Sequence, residues 1–376
     1  MKILRYYNLE KYLKPNKVLV ILGSRQVGKT TLLKDYLDTI KGKMKYKLDF
    51  GDDIKTQELL SSRDFSKIKE YAQGYDLIAI DEAQKIEKIG ETLKIMVDQI
   101  PGIKIIATGS SSFELSGQIG EPLTGRKTTL ILYPISQIEL KNLCNNYELK
   151  RKMEEYLIYG SYPEVIVNSS IEEKKRILNE IIGSYLLKDV LELEKVKGSK
   201  VLLDLLRLLA FQMGSEVSLS ELGRQLGLDY KTVARYLDLF EKSFVIYTLR
   251  GFSRNLRKEV TKKAKYYFFD NGVRNAIIAN FNPLELRDDI GKLWENFVIS
   301  ERLKKQSYRS IFANNYFWRT WDQKEIDFIE ERGGKLYGYE IKWKGGKVKP
   351  PDDWKLTYPN SEFLLISQEN YLEFIQ

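Results

Sequence analysis

The stretch VLVILGSRQVGKTTLLKDYL, residues 18–37, decides how the amino-terminal part of the chain folds. Its first five residues are apolar, which predicts a buried strand over 18–22, and apolar residues then recur at helical spacing. Between them, Gly23 to Thr30 follow the spacing G-x-x-x-x-G-K-[ST]. In this pattern backbone N–H groups surround phosphates, the lysine reaches the β- and γ-phosphates, and the hydroxyl ligates Mg²⁺. The predicted site for ATP and Mg²⁺ comprises Gly23, Ser24, Arg25, Gln26, Val27, Gly28, Lys29, Thr30 and Thr31.

Two carboxylates follow a second apolar run. Leu77 to Ile80 are continuously apolar, as in a strand covered on both faces, and Asp81 and Glu82 come directly after them. At the end of such a strand, Asp81 would hold Mg²⁺ together with Thr30, and Glu82 would polarise the attacking water. The pair therefore predicts the hydrolytic half of the nucleotide site.

Further apolar runs extend the same arrangement. Residues 45–50, 103–107 and 128–134 predict three more strands, which with the first two give a parallel sheet covered by helices. The polar end of 103–107, at Thr108 and Ser110, is placed to sense the γ-phosphate. Arg126 stands just before the last strand.

This order of motifs resembles the AAA+ ATPases. The resemblance rests on Gly23, Lys29 and Thr30, on Asp81 and Glu82, on Ser110 as sensor and on Arg126. It implies a catalytic set of Lys29, Asp81, Glu82, Ser110 and Arg126, with Arg126 reaching the nucleotide of a neighbouring subunit in a homo-oligomeric ring. The alternative is an ordinary surface arginine. GSSSFEL (109–115), LTGRKTTLILYPISQIEL (123–140) and YGSYPEV (159–165) further resemble archaeal and bacterial ATPases with a carboxyl-terminal region of unknown function, although no sensor-2 arginine stands out in residues 136–198.

The composition narrows the chemistry. The 376 residues carry a net charge of +9, no histidine and a single cysteine, Cys144. Histidine-dependent hydrolysis, intramolecular disulfides and cysteine-based zinc sites are therefore excluded, and any hydrolysis must use carboxylates, lysine, hydroxyls and oxygen-bound metals. No apolar run is long enough to span a bilayer, so we expect a cytoplasmic protein without a membrane partner.

The middle of the chain predicts a helical lid over 136–198 and a winged helix-turn-helix over 199–283. Ser218 and Glu221 have capping-box spacing, a GLD turn follows, and Asp229 precedes a second helix. Two strands then follow, as in a winged helix. The second helix would expose Lys231, Thr232 and Arg235.

The same segment is basic, with 14 basic and eight acidic residues. Seven of the basic residues lie between Arg250 and Lys265, where a basic wing would contact the phosphates of duplex or branched DNA. The alternative is a module that contacts protein or serves as part of the lid. The predicted DNA contacts are Lys231, Arg235, Arg250, Arg254, Arg257, Lys258, Lys262 and Lys263.

The last segment contains EIDFIEERGGKLYGYEIKW, residues 325–343. Alternation along its strands turns Glu340 and Lys342 to one face beside Asp327, and Glu295 approaches from the preceding helix. This resembles the PD-(D/E)xK nuclease-like fold, which implies that Glu295, Asp327 and Glu340 bind Mg²⁺ and that Lys342 orients water or stabilises the phosphate charge. A structural domain without cleavage is the alternative.

The sequence thus predicts an α/β chain in four parts: a P-loop AAA+ domain (1–135), a helical lid (136–198), a winged helix-turn-helix (199–283) and an α/β nuclease-like domain (284–376). One function is an ATPase that remodels or translocates DNA, with a possible metal-dependent nuclease module. The other is an ATP-dependent switch that controls a DNA- or protein-binding winged helix, with an inactive carboxyl-terminal domain.

Overall fold

The apolar runs of the first 135 residues form one parallel sheet in the computed structural model, which describes residues 3–109, 122–186, 199–253, 264–320 and 322–376. Its strands are β1 Lys17–Leu22, β2 Tyr46–Phe50, β3 Leu77–Asp81, β4 Lys104–Gly109 and β5 Lys127–Ile131. They lie in the order β2-β3-β4-β1-β5, and each neighbouring pair is parallel. The predicted parallel sheet is confirmed.

Strand β1 shows why these runs are apolar throughout. Leu19 and Ile21 pack into one hydrophobic core, and Val18 and Val20 pack into a second core on the opposite face of the sheet. Helices therefore cover both faces. They are α1 Lys29–Ile40, α2 Ile54–Ser61, α3 Phe65–Ala72 and α4 Ile89–Gln99.

Short helices follow in the stretch predicted as a lid. Two of them begin at capping boxes, Ser136 with Glu139 and Asn145 with Glu148, in which each side chain bonds the other residue's backbone N–H. The helices are α5 Gln137–Leu140, α6 Asn146–Arg151, α7 Met153–Tyr159, α8 Pro163–Val167 and α9 Ile171–Glu180, continued by a π-helix at Ile181–Leu186.

The next segment contains the two helices that the capping pattern predicts. Ser218 accepts from the N–H of Glu221, and Asp229 accepts from the N–H groups of Lys231 and Thr232. Gly227 takes the left-handed conformation of the turn, with φ 68°. The elements are α10 Ser199–Phe211, β6 Glu216–Val217, α11 Leu219–Leu226, α12 Tyr230–Lys242, β7 Ile246–Gly251, β8 Ala264–Phe268 and α13 Asn271–Ile277.

The three strands predicted near the carboxyl terminus are present, and the predicted helix comes before them in the chain. The elements are α14 Ile290–Tyr308, β9 Asn314–Arg319, β10 Glu325–Arg332, β11 Lys335–Ile341, α15 Asp352–Thr357, β12 Glu362–Ile366 and α16 Tyr371–Ile375.

One sheet runs through both of these segments, which the four-part division does not anticipate. In the described chain its order is β12-β11-β10-β9-β7-β8-β6. The junction is the parallel pairing of β7 with β9, where Arg250 is in register with Tyr316 and Gly251 with Phe317. Alternation within a strand reveals its faces but not its neighbours, so the sequence offers no signal for this junction.

Among the described residues, no helix has both the length and the apolar character needed to cross a bilayer.

Candidate nucleotide site and carboxylate cluster

The loop between β1 and α1 has the shape of a phosphate-binding turn. Gly28 precedes the helix with φ 93°, a left-handed conformation that glycine adopts at low cost. Gly23 lies so close to the end of β5 that a Cβ atom there would be 2.2 Å from the carbonyl oxygen of Leu132. Both glycines of the motif are therefore required sterically: Gly28 by its backbone conformation and Gly23 by the close approach of Leu132. The buried Lys29 ammonium donates to the carbonyl oxygens of Gly23 (2.9 Å) and Ser24 (3.0 Å).

The remaining residues of the predicted loop take different positions. Val27 is buried, whereas the side chain of Thr31 is exposed on the outer side of α1. Gln26 is left-handed, with φ 62°. The Ser24 hydroxyl lies 3.0 Å from the Tyr162 hydroxyl, and Arg25 lines a cavity beside the loop.

Asp81 is held between two hydroxyl groups at the carboxyl end of β3. Thr30 Oγ1 donates to one carboxylate oxygen at 2.6 Å, and Thr108 Oγ1 donates to the other at 2.5 Å. Thr108 is fully buried and also accepts from the backbone N–H of Glu82 at 3.0 Å. Thr108 therefore fixes Asp81 and Glu82 relative to one another, which differs from the phosphate-sensing role predicted for it. The other predicted sensor, Ser110, lies outside the described residues.

Glu82 has a left-handed backbone, with φ 54°, and its carboxylate accepts from Gln84 Nε2 at 2.7 Å. A non-glycine residue in this conformation carries strain, which neighbouring contacts must hold in place. Gly51 after β2 packs closely against this backbone. Its N–H donates to the carbonyl oxygen of Asp81 at 2.7 Å, and a Cβ atom at this position would lie 2.1 Å from the carbonyl oxygen of Glu82. Sequence reasoning missed Gly51, although its position just after the predicted strand 45–50 was a usable signal.

The residues at this site fit a magnesium ion bound with a nucleotide. Thr30 and Asp81 present hard oxygen atoms side by side, and Mg²⁺ commonly takes one or two protein oxygens and completes its shell with phosphate and water. Within the described ranges no group of three or more acidic or cysteine side chains is arranged to hold a metal by itself. Mg²⁺ at Thr30 and Asp81 stays a prediction that depends on the nucleotide.

Arg5 links the P-loop to segments that lie far from it along the chain. Its guanidinium donates to the carbonyl oxygen of Val27 and, at 2.6 Å, to that of Tyr133. It also donates to Glu139 at 2.8 Å and to the Tyr308 hydroxyl at 3.3 Å. The P-loop is thereby tied to α5 and to the end of α14. No sequence motif marks Arg5, because its partners are far away along the chain.

A small cavity of about 20 Å³, with room for about one water molecule, lies beside the P-loop. Ser24 and Arg25 line it on one side. Tyr162 from the helical stretch, Phe244 after α12 and Asp270 before α13 line the others. Segments from three of the four predicted parts therefore meet at the predicted phosphate site.

Arg126 lies at the other end of the parallel sheet. Its carbonyl oxygen accepts from the N–H of Val18 at the start of β1, whereas the P-loop follows the end of that strand. Its side chain is 43% exposed and forms an ion pair with Asp98 at 2.6 Å. Six residues of strand separate the two ends by roughly 17 Å, so Arg126 does not reach the nucleotide site of its own subunit.

The predicted DNA contacts are only partly within the described chain. Lys231, Arg235 and Arg250 are exposed. Arg254, Arg257, Lys258, Lys262 and Lys263 lie outside the described residues. Lys265 was counted with the basic wing in the sequence, and this requires correction. Its side chain is only 3% exposed and points towards acidic residues of the carboxyl-terminal segment.

The structure brings Glu295, Asp327, Glu340 and Lys342 together, as predicted. Lys342 Nζ lies 2.7 Å from Glu340 and 3.7 Å from Asp327, and the N–H of Ile341 donates to Asp327 at 2.8 Å. These four residues, with Glu325 and Lys265, are called the carboxylate cluster below.

Three side chains at the cluster, those of Lys265, Glu325 and Tyr267, were not assigned to it from the sequence. Lys265 forms an ion pair with Glu325 and lies 3.9 Å from Glu295. The Tyr267 hydroxyl donates to Glu295 at 2.5 Å. Burial, together with the nearby Asp327, raises the pKa of Glu295 to about 7. Burial is also the main cause that raises the pKa of Asp327 and of Glu340.

The metal site predicted for Glu295, Asp327 and Glu340 stays a prediction. In the part of the chain that the structure describes, no three acidic side chains are arranged to hold a metal. One oxygen of each carboxylate has a nearby donor or cation: Tyr267 and Lys265 at Oε1 of Glu295, Ile341 at Oδ2 of Asp327, and Lys342 at Oε1 of Glu340.

Comparison with known proteins divides the chain in a related way. Residues 15–141 match a family described as an AAA domain. Residues 150–284 and 290–358 match two families described as domains of unknown function, DUF8612 and DUF4143. The first of these two spans both the stretch predicted as a lid and the helix-turn-helix segment.

Two curated relatives are similar over most of the chain, and both are uncharacterized. A protein of Mycobacterium tuberculosis is 26% identical over 330 residues, which cover 86% of this chain and 70% of the relative. A protein of Haemophilus influenzae is 27% identical over 348 residues, covering 86% and 82%. Among solved structures, AMPPCP-bound DnaA from Aquifex aeolicus aligns with a TM-score of 0.32 and 17% identity, over 62% of this chain and 84% of DnaA.

The AAA-domain match and the geometry of the P-loop together support a P-loop AAA+ ATPase. The structural alignment to DnaA is too weak to add to this, and the relatives are not assigned an activity by their names.

Proposed function

We propose that this chain is a magnesium-dependent ATPase that binds DNA through a winged helix and uses ATP hydrolysis to remodel or translocate it. The observation that carries the ATPase is the chain of hydroxyl and carboxylate groups from Thr30 through Asp81 to Thr108. Lys29 would neutralise the β- and γ-phosphates, and Thr30 and Asp81 would hold Mg²⁺. Glu82, fixed through Thr108, would polarise the attacking water. ATP and Mg²⁺ are the cofactors of this proposal.

A homo-oligomer, in the form of a ring, belongs to the same proposal. Arg126 lies too far from its own P-loop to contact a nucleotide there, but it is exposed at the opposite end of the strands. A neighbouring subunit that packs its nucleotide site against this end would receive the Arg126 guanidinium. Such an arginine stabilises the charge that develops on the transferred phosphoryl group.

The DNA-binding part of the proposal rests on helices α11 and α12. Their capped ends, the left-handed Gly227 and the three-stranded antiparallel arrangement of β6, β8 and β7 suit a winged helix-turn-helix. Lys231 and Arg235 are exposed on α12, and Arg250 is exposed on β7. Phosphate contacts from such residues position a protein on DNA without selecting a sequence.

The second candidate is a switch with an inactive carboxyl-terminal domain. It is favoured by the small cavity beside the P-loop, where residues of the helical stretch and of the helix-turn-helix segment lie next to Ser24 and Arg25. A nucleotide bound at the P-loop would therefore lie close to both segments. DNA cleavage at the carboxylate cluster is a separate prediction, which its present contacts do not favour.

One experiment tests the proposal and separates the two candidates. ATP turnover of the full chain is measured with Mg²⁺ alone and with single-stranded, duplex and branched DNA, and both phosphate release and DNA integrity are followed. We expect turnover that DNA stimulates if the chain remodels DNA, and slow turnover without stimulation if it is a switch.

The matched variants are Glu82→Gln and Glu87→Gln. Glu82→Gln should retain ATP binding and lose turnover by about 100-fold or more, because the water would lack its polarising group. Glu87 is exposed nearby, and its substitution should leave turnover unchanged. Equal turnover in both variants would refute the assignment of Glu82.

A further inference from the structure

The carboxylate cluster contains more negative than positive side chains. Its acids are Glu295, Glu325, Asp327 and Glu340, and its lysines are Lys265 and Lys342. Close carboxylates raise one another's pKa unless cations lie between them. The identity of the cation that holds these acids together is therefore the main physical question at this site.

Lys265 is the more deeply placed of the two lysines. Its side chain is 3% exposed, whereas that of Lys342 is 50% exposed. A buried ammonium is costly unless it is paired, and Lys265 has Glu325 in direct contact and Glu295 at 3.9 Å. Burial opposes the charge of Lys265, but the carboxylates of Glu295 and Glu325 outweigh it and raise the pKa. The buried side chain is therefore a cation.

The ammonium of Lys265 comes from a different part of the chain than the acids. It belongs to β8, in the helix-turn-helix segment, whereas Glu295 lies on α14 and Glu325 begins β10. Tyr267, two residues further along β8 on the same face, donates to the same Glu295. Two neighbouring side chains of β8 thus occupy the inner side of Glu295.

A divalent ion and this ammonium compete for the same oxygens. Mg²⁺ or Mn²⁺ needs about six oxygen ligands at roughly 2.0–2.3 Å, and it repels a cation placed among them. Tyr267 and Lys265 both contact Oε1 of Glu295, so an ion ligated by that oxygen would have to displace them, and an ion at the other oxygen would still lie beside the Lys265 ammonium. Breaking a buried charge pair costs about 3–5 kcal/mol.

We infer that Lys265 supplies the cation of the carboxylate cluster from within the chain, at the place where the nuclease fold that it resembles implies a divalent metal. The cluster joins β8 of the helix-turn-helix segment to α14 and β10, and it binds no divalent metal as folded. The inference does not depend on ATP hydrolysis, because none of these residues belongs to the nucleotide site.

The test measures Mn²⁺ binding to the full chain by the loss of the free Mn²⁺ signal in electron paramagnetic resonance. Every protein carries Asp81→Asn, so that Mn²⁺ held at the nucleotide site does not contribute. Without a further change we expect no binding up to about 1 mM Mn²⁺. Lys265→Met, which keeps the apolar stem and removes the charge, should gain one Mn²⁺ per chain.

Two further variants locate the gained ion. Lys265→Met combined with Glu295→Gln should lose it, because the cluster would lack a ligand on α14. The control is Lys335→Met, at an exposed lysine of β11 that is paired with Glu362 in the same sheet. It removes the same charge outside the cluster and should gain no Mn²⁺.

Either of two results would overturn the inference. The first is Mn²⁺ binding by the chain with Lys265 intact that is lost when Asp327→Asn and Glu340→Gln are introduced. The second is a folded Lys265→Met protein, judged by circular dichroism, that gains no Mn²⁺. If Lys265→Met does not fold, the measurement on the chain with Lys265 intact still decides, because metal bound there through Asp327 and Glu340 contradicts the inference and its absence supports it.

Discussion

Asp81 and Glu295 are both largely buried carboxylates, but their partners differ in charge. Asp81 accepts hydrogen bonds from the neutral hydroxyls of Thr30 and Thr108. Glu295 lies beside the ammonium of Lys265, which also pairs with Glu325. A hydrogen bond from a hydroxyl to a carboxylate contributes about 1.5–3 kcal/mol and can be exchanged for a bond to a ligand, whereas removing one partner of a buried ion pair costs about 3–5 kcal/mol. The nucleotide site is suited to exchange, and the carboxylate cluster is suited to permanent contact.

The first prediction concerns Lys29, whose ammonium donates to carbonyl oxygens of the loop. Lys29→Ala should reduce ATP turnover to background, because no other charge at that position would neutralise the β- and γ-phosphates. Thermal unfolding should change little, since the lost bonds are to exchangeable partners. Phosphate release and nucleotide binding measure the first effect, and calorimetry the second.

The control for Lys29 lies on the same helix. Lys34 is exposed on α1, so Lys34→Ala removes an equal charge five residues away and should retain full turnover. If Lys29→Ala kept turnover, or lost stability as strongly as activity, then Lys29 would resemble the lysines of the carboxylate cluster and the contrast between the two regions would fail.

The second prediction concerns Arg126, which belongs neither to the nucleotide site of its own subunit nor to the carboxylate cluster. Arg126→Ala should lower ATP turnover on the order of 10³-fold while ATP affinity stays near normal, because an arginine supplied by a neighbouring subunit acts on the transition state. Mixing Arg126→Ala with Glu82→Gln protein should restore part of the turnover, since mixed rings contain some sites with both residues. Assembly is followed by light scattering. Intact assembly without any recovery would exclude the arrangement across subunits.

How far the sequence predicts this molecule depends on the range of each interaction. The P-loop and the five parallel strands are encoded locally, by a glycine motif and by apolar runs such as Leu77 to Ile80, and the structure has them where expected. Glu295, Asp327, Glu340 and Lys342 also meet as predicted, because strand alternation and one helix face suffice to place them.

Other features depend on contacts between distant segments. Lys265 stands in a run of basic residues, which suggests a DNA-contacting wing, yet it belongs to β8, where its side chain faces inward. Aromatic residues at 266, 267 and 268 occupy both faces of this strand, so the pattern does not show which way Lys265 points, and nothing in the sequence says that α14 lies opposite. The pairing of β7 with β9 is unpredictable for the same reason.

The third prediction compares two lysines by their burial. Lys265→Met should lower the free energy of unfolding by about 3 kcal/mol, because Glu295 and Glu325 would keep their burial and lose their cation. Lys335→Met removes an exposed ion pair and should have no measurable effect beside it. Urea unfolding followed by circular dichroism measures both. Equal stability of the two variants would mean that the cluster does not depend on its internal cation.

The fourth and smallest effect concerns exposed charges, whose interactions water and salt screen. Lys231 and Arg235 on α12 are exposed, and each would contact a DNA phosphate and release counterions. Replacing both with glutamine should flatten the slope of log K against log salt concentration by about two and weaken binding equally for unrelated sequences. Fluorescence anisotropy with two unrelated duplexes, over a salt series, gives both quantities. The matched control is Lys67→Gln with Lys69→Gln, at two exposed lysines of α3. It lowers the net charge equally and should leave the slope unchanged. If the two double variants lose the same affinity, the effect follows net charge, and α12 is not the surface that meets DNA.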